Sequence, residues 1–276
     1  MTRVEHPSRE ASRKGINLEQ VSKSFRTSEG DLQVLEDLSF QVAEGEAVAV
    51  VGPSGSGKTT LLNLLAGLDF PTAGQIFVND EEIRGPSPDR GVIFQQYAVF
   101  PYLTVHQNVT FGLTLAANKK SKAERDEIAA HYIRLMGLGG FENAYPRTLS
   151  GGMKQRLAIA RAYAVNPKIL FMDEPFAALD AQTRDLMQEL ILQLLAKEQK
   201  TVIFVTHSVE EAIFVANRIV VVTARPATVQ EIVDVPFPFP RTAEVKTTVE
   251  FMEIRRYVES LVRQQYKVSH PEAAAN

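Results

Sequence analysis

Around residues 17–51, short runs alternate apolar and polar positions, as in Ile16-Asn17-Leu18 and Leu38-Ser39-Phe40-Gln41-Val42, with a turn-like break at Ser28-Glu29-Gly30-Asp31. A period of two predicts strands buried on one face, here antiparallel partners. Ala47-Val48-Ala49-Val50-Val51 is apolar on both faces instead, the pattern of a buried parallel strand. A Gly-rich turn follows, and the spacing then predicts a helix from Lys58 to about Leu68. Positions 105–136 turn helical and charged, an inserted helical lobe with a solvated stretch at 119–125. Two more buried strands are predicted at 169–172 and 201–205, and helices at 184–196 and 209–216. Strands alternating with helices imply a parallel sheet covered on both faces. The Pro-rich run 236–240 marks the expected end of the domain, and 244–266 has apolar residues at helical spacing. Residues 1–16 read as a charged, Ser-rich tail and 271–276 as a frayed end; no internal repeat is visible.

Composition narrows the function. The 276 residues contain no cysteine, which excludes disulfides, thiolate metal sites and cysteine nucleophiles. A net charge of −3 gives no strong pull toward nucleic acid or anionic lipid. The polar N-terminal stretch is not the apolar core of a secretory signal. The most apolar window, 212–224, is interrupted by Asn217 and Arg218, so no membrane-spanning helix is expected and any role at a membrane calls for a separate membrane subunit. His6, His106, His131 and His270 are scattered at no ligand spacing.

Three motifs carry chemistry. Gly52-Pro53-Ser54-Gly55-Ser56-Gly57-Lys58-Thr59, with Thr60 next, fits G-x-x-x-x-G-K-[ST] between a buried strand and a helix. Glycines there let backbone amides wrap a phosphate, and the helix start adds partial positive charge. Lys58 is placed to reach the β- and γ-phosphates and the Thr59 hydroxyl to ligate Mg²⁺. The apolar run 169–172 ends in Asp173-Glu174, beside that loop at the carboxyl edge of the sheet. Asp173 is then the Mg²⁺ partner and Glu174 the general base that polarises an attacking water. The third motif is Leu149-Ser150-Gly151-Gly152-Met153-Lys154-Gln155-Arg156, a second helix start suited to an anion.

With this third motif the chain resembles the nucleotide-binding subunits of ABC transporters. The resemblance covers about residues 17–235 and implies a P-loop NTPase of ABC type: a parallel-sheet core, an antiparallel β subdomain and a helical subdomain at about 97–146, with 236–276 a partly helical extension. It implies that Ser150, Gly151 and Gly152 bind the γ-phosphate of ATP held by the opposite subunit of a homodimer. Met153 replaces the family's usual Gln. Phe25 stands where the family stacks an aromatic on adenine. Gln95, or its neighbour Gln96, matches the Gln that senses γ-phosphate and Mg²⁺. Ala178-Leu179-Asp180 matches the loop crossing the dimer interface, and His207 the His on the γ-phosphate.

The resemblance further implies an ATPase using ATP and Mg²⁺, peripheral on the cytoplasmic face of the inner membrane. Its implied partners are an integral membrane permease and, through that, a substrate-binding protein; nucleic acid is not among them. A DNA-maintenance ATPase is the competing class, but Lys58 and Ser150 are only 92 positions apart with no coiled coil between. A ribosome-associated factor would carry two such domains. The stretches 172–180 and 223–227 resemble the nitrate/sulfonate/taurine importer branch, and the chain is too short for the regulatory β-domain of sugar importers. The apolar, aromatic segment 97–103 is expected either to dock the permease or to fill the lobe's core. Arg225 and Arg241 are read as solvated surface residues or dimer contacts.

Overall fold

The computed structural model describes residues 14–269, with side chains as far as Tyr266; the terminal tails at 1–13 and 270–276 lie outside the described residues. The alternating region forms β1 (Ile16–Thr27) and β2 (Gly30–Val42), which pair antiparallel; β4 (Ala73–Val78) joins on the other side of β1, and the two-residue β5 (Glu81–Glu82) follows it. The second sheet contains β3 (Ala47–Val51), β6 (Arg90–Ile93), β7 (Ile169–Asp173), β8 (Thr201–Thr206), β9 (Arg218–Val222) and β10 (Val229–Asp234). Its order is β10-β9-β3-β8-β7-β6. All its neighbours run parallel except β10, which returns antiparallel against β9.

The sheet's apolar strands serve two cores. Val48, Val50, Phe171, Ile203, Val205 and Val220 face helix α1 (Lys58–Ala66) and the antiparallel sheet. Ala47, Ala49, Leu170, Met172, Val202, Phe204 and Ile219 face the opposite core. That core holds α4 (Gly151–Ala164), α5 (Ala181–Glu198), α6 (Val209–Val215) and α7 (Val249–Ser269). Period-two geometry sends successive side chains to opposite faces, so a strand covered on both must be apolar throughout.

Several element ends differ from the expected ones for local reasons. Helix α1 stops at Ala66 because Gly67 turns left-handed (φ 75°) and its amide closes onto Leu64 and Asn63 carbonyls. Helix α5 starts at Ala181, since Asp180 accepts a hydrogen bond from the Thr183 amide and caps it. In the lobe, α2 (Val105–Phe111) and α3 (Lys122–Leu135) are separated by two 3₁₀ turns, and both pack on α4. Part of the stretch read as solvated is helix, because Ser121 and Glu124 form a reciprocal cap at the start of α3.

The segment beyond β10 folds back onto the core. Phe251 and Val258 of α7 are fully buried there. Arg241, read from the sequence as a surface residue, is only 4% exposed. Its Nη1 donates to the carbonyls of Ile213 (2.6 Å), Phe214 (3.1 Å) and Ala216 (2.7 Å), and its Nε and Nη2 donate to Phe237. The guanidinium also lies over the Phe239 ring, 4.4 Å from its centroid. It thus satisfies carbonyls at the end of α6 that the helix leaves open, and burial pulls its pKa down to about 10. Arg241→Ala is expected to cost about 2–3 kcal/mol in urea denaturation by stranding those carbonyls, with Arg241→Lys recovering part of it. An unchanged midpoint in the alanine variant would remove Arg241 as the cap.

Candidate nucleotide site

The parallel sheet sets the site, because its strands end on one edge. After β3 comes the phosphate loop; after β8, His207; at the end of β7, Asp173 and Glu174; just past β6, Gln95. Helix α1 begins at Gly57, whose φ of 97° suits glycine and where a Cβ would sit 2.6 Å from Val34 Cγ1. Gly57 offers no side-chain cap. Helices α2 to α6 are each capped by a side chain, from Thr104, Ser121, Ser150, Asp180 and Ser208 in turn. Among these six only α1 has no side-chain acceptor at its start, while a cap such as Ser150 engages one amide of α4 and leaves its neighbours open to an anion.

Around this helix start lies a recess of about 380 Å³ lined by Ser54, Gly55, Gly57, Lys58, Thr59, Thr60, Asp173 and Glu174, together with Val34 and Arg225. Gly52, Pro53 and Ser56 lie in the loop's buried body, and Ser56 Oγ is buried without a hydrogen-bond partner. Lys58 Nζ donates to the Gly52 (2.9 Å) and Pro53 (2.8 Å) carbonyls. Burial lowers the pKa of Lys58, against the opposing pull of Glu174 and Asp173. Thr59 Oγ1 donates to Asp173 Oδ2 at 2.9 Å. Asp173 is 6% exposed. Burial raises its pKa and Glu174 adds to that, while the Thr59 bond and Lys58 oppose it.

Glu174 sits between two partners. Gln95 Nε2 donates to its Oε2 at 2.9 Å, and His207 Nδ1 lies 3.4 Å from its Oε1. Its backbone is left-handed (φ 46°), and its amide donates to Val205 of the adjacent strand. A carboxylate held on both sides beside a phosphate loop is oriented for proton transfer. Glu174 also borders a larger recess of about 780 Å³ whose walls include Glu210, Glu211 and Glu259. That cavity, walled also by Arg184, Arg255 and Arg263, contains no part of the phosphate loop, so the smaller recess is the candidate nucleotide site.

Some expected site residues stand apart. Ser150, Gly151 and Gly152 do not line the recess; they start α4, where Ser150 Oγ accepts from the Met153 amide. A Cβ on Gly151 would sit 3.2 Å from the Tyr97 hydroxyl. Tyr97 and Ala98, just past Gln95, are both left-handed, and Arg161 of α4 donates to the Ala98 carbonyl. Phe25 is 38% exposed on β1, with the Lys23 ammonium 4.9 Å from its ring centroid. Two lining residues, Val34 and Arg225, were missed; no motif marks them, and only strand order brings them in.

The family model for ABC transporters matches residues 35–177. This chain belongs to the ABC transporter family. Like the ATPases of that family, it binds ATP with Mg²⁺ and hydrolyses it. It is 43% identical over 254 residues to the nitrate import ATP-binding protein NrtD of Synechocystis sp., covering 90% of this chain and 95% of that one. It is 43% identical over 243 residues to the aliphatic sulfonates import ATP-binding protein SsuB of Bacillus cereus, covering 88% and 94%. Its fold matches the dimeric, post-hydrolysis structure of the ATP-binding cassette MJ0796 bound to ADP and Pi, with a TM-score of 0.73, 32% identity, and coverage of 81% of this chain and all of that one. The expected ABC-type fold, with its antiparallel sheet and helical lobe, is therefore found.

The residues fit the nucleotide and its ion. The uncapped helix start suits phosphate oxygens. Among the described residues no cluster of three or more His, Cys, Asp or Glu could hold a metal. Thr59 and Asp173 lie together and would offer two oxygens to Mg²⁺, an ion that keeps most of its shell for phosphate and water. The raised pKa of Asp173 carries a stability cost in the empty ABC protein. That cost is fully present above the folded-state pKa and disappears below the ordinary 3.8. Asp173→Asn, which keeps an acceptor for Thr59, is expected to raise the nucleotide-free melting temperature by about 2–4 °C, the effect of ~1 kcal/mol in a chain this size, while abolishing Mg²⁺-dependent ATPase activity. A lowered melting temperature would contradict the electrostatic account.

Proposed function

We propose that the protein energises an importer for a small oxyanion solute, hydrolysing ATP at a site completed by a second copy of itself. Within a chain, the phosphate-loop recess is not lined by Ser150, Gly151 or Gly152, and this observation carries the composite-site reading. The α4 start of one subunit then faces the nucleotide held by Lys58, Thr59 and Thr60 of the other. Phe25 stacks on the base, its partly exposed ring suiting that role. Thr59 and Asp173 would hold Mg²⁺, with Gln95 as a further ligand, and the ion would supply charge neutralisation on the phosphates. Glu174 takes the proton of the attacking water, Gln95 and His207 hold its carboxylate in line, and His207 also faces the γ-phosphate. The dimeric MJ0796 cassette supports two-subunit assembly. Glu174→Gln is expected to keep ATP binding, to lower turnover at least ~100-fold, and to elute as a dimer only with ATP on size exclusion. Wild-type turnover would remove Glu174 as the base, and a variant that stays monomeric with ATP would sink the composite site.

No helix among the described residues is long and apolar enough to cross a membrane, so transport needs a permease. Phe100, Tyr102 and Phe111 cluster beside Gln95, with ring centroids 5.9 and 4.6 Å from Phe100. Tyr102 is 69% exposed, so this segment does not simply fill the lobe's core; it fits a permease contact at the cytoplasmic face of the inner membrane. The named cargoes of NrtD and SsuB, nitrate and aliphatic sulfonates, support an oxyanion substrate, which a binding protein would bring to the permease. The permease is expected to co-purify with wild type and not with Tyr102→Glu. The partner binding protein should bind nitrate, taurine or an alkanesulfonate in titration calorimetry. Tight binding of only a neutral pyrimidine would overturn the cargo.

A further inference from the structure

Arg225 belongs to no nucleotide motif, yet it forms part of the wall of the phosphate-loop recess. It is exposed, and among the described residues no carboxylate pairs with it. The turn that carries it is built firmly. Thr223 Oγ1 donates to the Pro226 carbonyl at 3.2 Å and accepts from the Thr228 amide at 2.9 Å, and the Thr223 amide donates to the Thr228 carbonyl at 3.0 Å. Ala227 is tied to β2 on both sides, its amide to Val34 (2.8 Å) and its carbonyl to the Glu36 amide (2.9 Å). A free cation on a fixed turn at the mouth of a polyphosphate recess has an obvious class of ligand, because guanidinium matches phosphate in charge and geometry.

Strand order says which phosphate. The turn follows β9, and β9 lies on one side of β3; β8 and β7, which carry His207 and Asp173-Glu174, lie on the other. Arg225 therefore flanks the phosphate loop on the side away from the groups around the bond that breaks. We propose that Arg225 is a nucleotide-binding residue that holds a phosphate on the α,β side, a contact shared by substrate and product. This deepens, and rests on, the reading of the phosphate loop as the ATP site. An interaction equally strong with both nucleotides raises affinity without lowering the chemical barrier, so its loss appears in KM and in binding rather than in kcat.

The test is equilibrium binding of fluorescent ADP, ATP and GTP analogues to wild type, Arg225→Gln, Arg225→Lys and Lys58→Ala, with melting temperatures to check folding and steady-state kinetics alongside. Arg225→Gln is expected to weaken all three nucleotides by a common factor of about tenfold, as one charge-assisted hydrogen bond is lost. KM for ATP rises by a similar factor while kcat moves less than twofold, and Arg225→Lys falls between. Weakening of the triphosphates alone would place the residue on the γ-phosphate, and a factor that depends on the base would place it on the ring; either overturns the proposal. If Arg225→Gln binds all three as wild type while Lys58→Ala binds none, Arg225 is a solvent residue and the phosphate-loop reading stands. If Lys58→Ala binds as wild type, both fall together.

Discussion

Strand β3 is buried on both faces and hydrogen-bonded on both edges, Val51 pairing with Thr206 of β8 on one side and Val221 of β9 on the other. The site depends on that placement. Parallel neighbours end on the same edge, so the loops after β9, β3, β8, β7 and β6 stand side by side. Arg225, the phosphate loop, His207, Glu174 and Gln95 come to one edge from positions spread over nearly two-thirds of the sequence. Register is strongly specified because a one-residue slip would turn every β3 side chain into the other core.

The site is poorly satisfied by the protein alone. The first amides of α1 have no cap, Ser56 Oγ has no partner, and Lys58 turns back onto the carbonyls of its own loop. Burial opposes charge on Lys58 and Asp173 alike. The uncapped amides and the two buried charges are a cost that phosphate and a divalent ion would relieve, so they favour ligand binding where a structural turn would have been capped. Glu174 differs, for Gln95 and His207 already hold it.

The helix after His207 is short, and a seven-residue helix has little stability alone. It is held from outside the nucleotide fold. Arg241 caps its end, Phe251 and Val258 of α7 pack in the shared core, and Arg255 and Lys246 pair with Glu210 in its first turn. Residues some thirty to fifty positions downstream thus fix an element next to the catalytic edge. Across the site, the turn after Gln95 is tied to α4 in a similar way, Arg161 of its last turn bonding Ala98 and Tyr97 lying beside Gly151 at its start.

The sequence by itself determined the kind of chemistry and much of the fold. The phosphate loop, the acidic pair and the Ser-Gly-Gly helix start are local: their function depends on residue types at fixed spacing, so they are legible without neighbours. The doubly apolar strands were legible too, since burial on both faces leaves a direct mark on composition. Strand order left no such mark. It depends on which hydrophobic faces meet across the chain, and it alone put Val34 and Arg225 in the wall of the recess. Arg241 shows the same limit: an arginine after a Pro-Phe run reads as surface, and only tertiary packing shows that its three nitrogens donate to carbonyls at the end of α6 and to Phe237. Whether a charge is solvated or satisfied in the interior is a property of its partners, and those are brought together only when the chain folds.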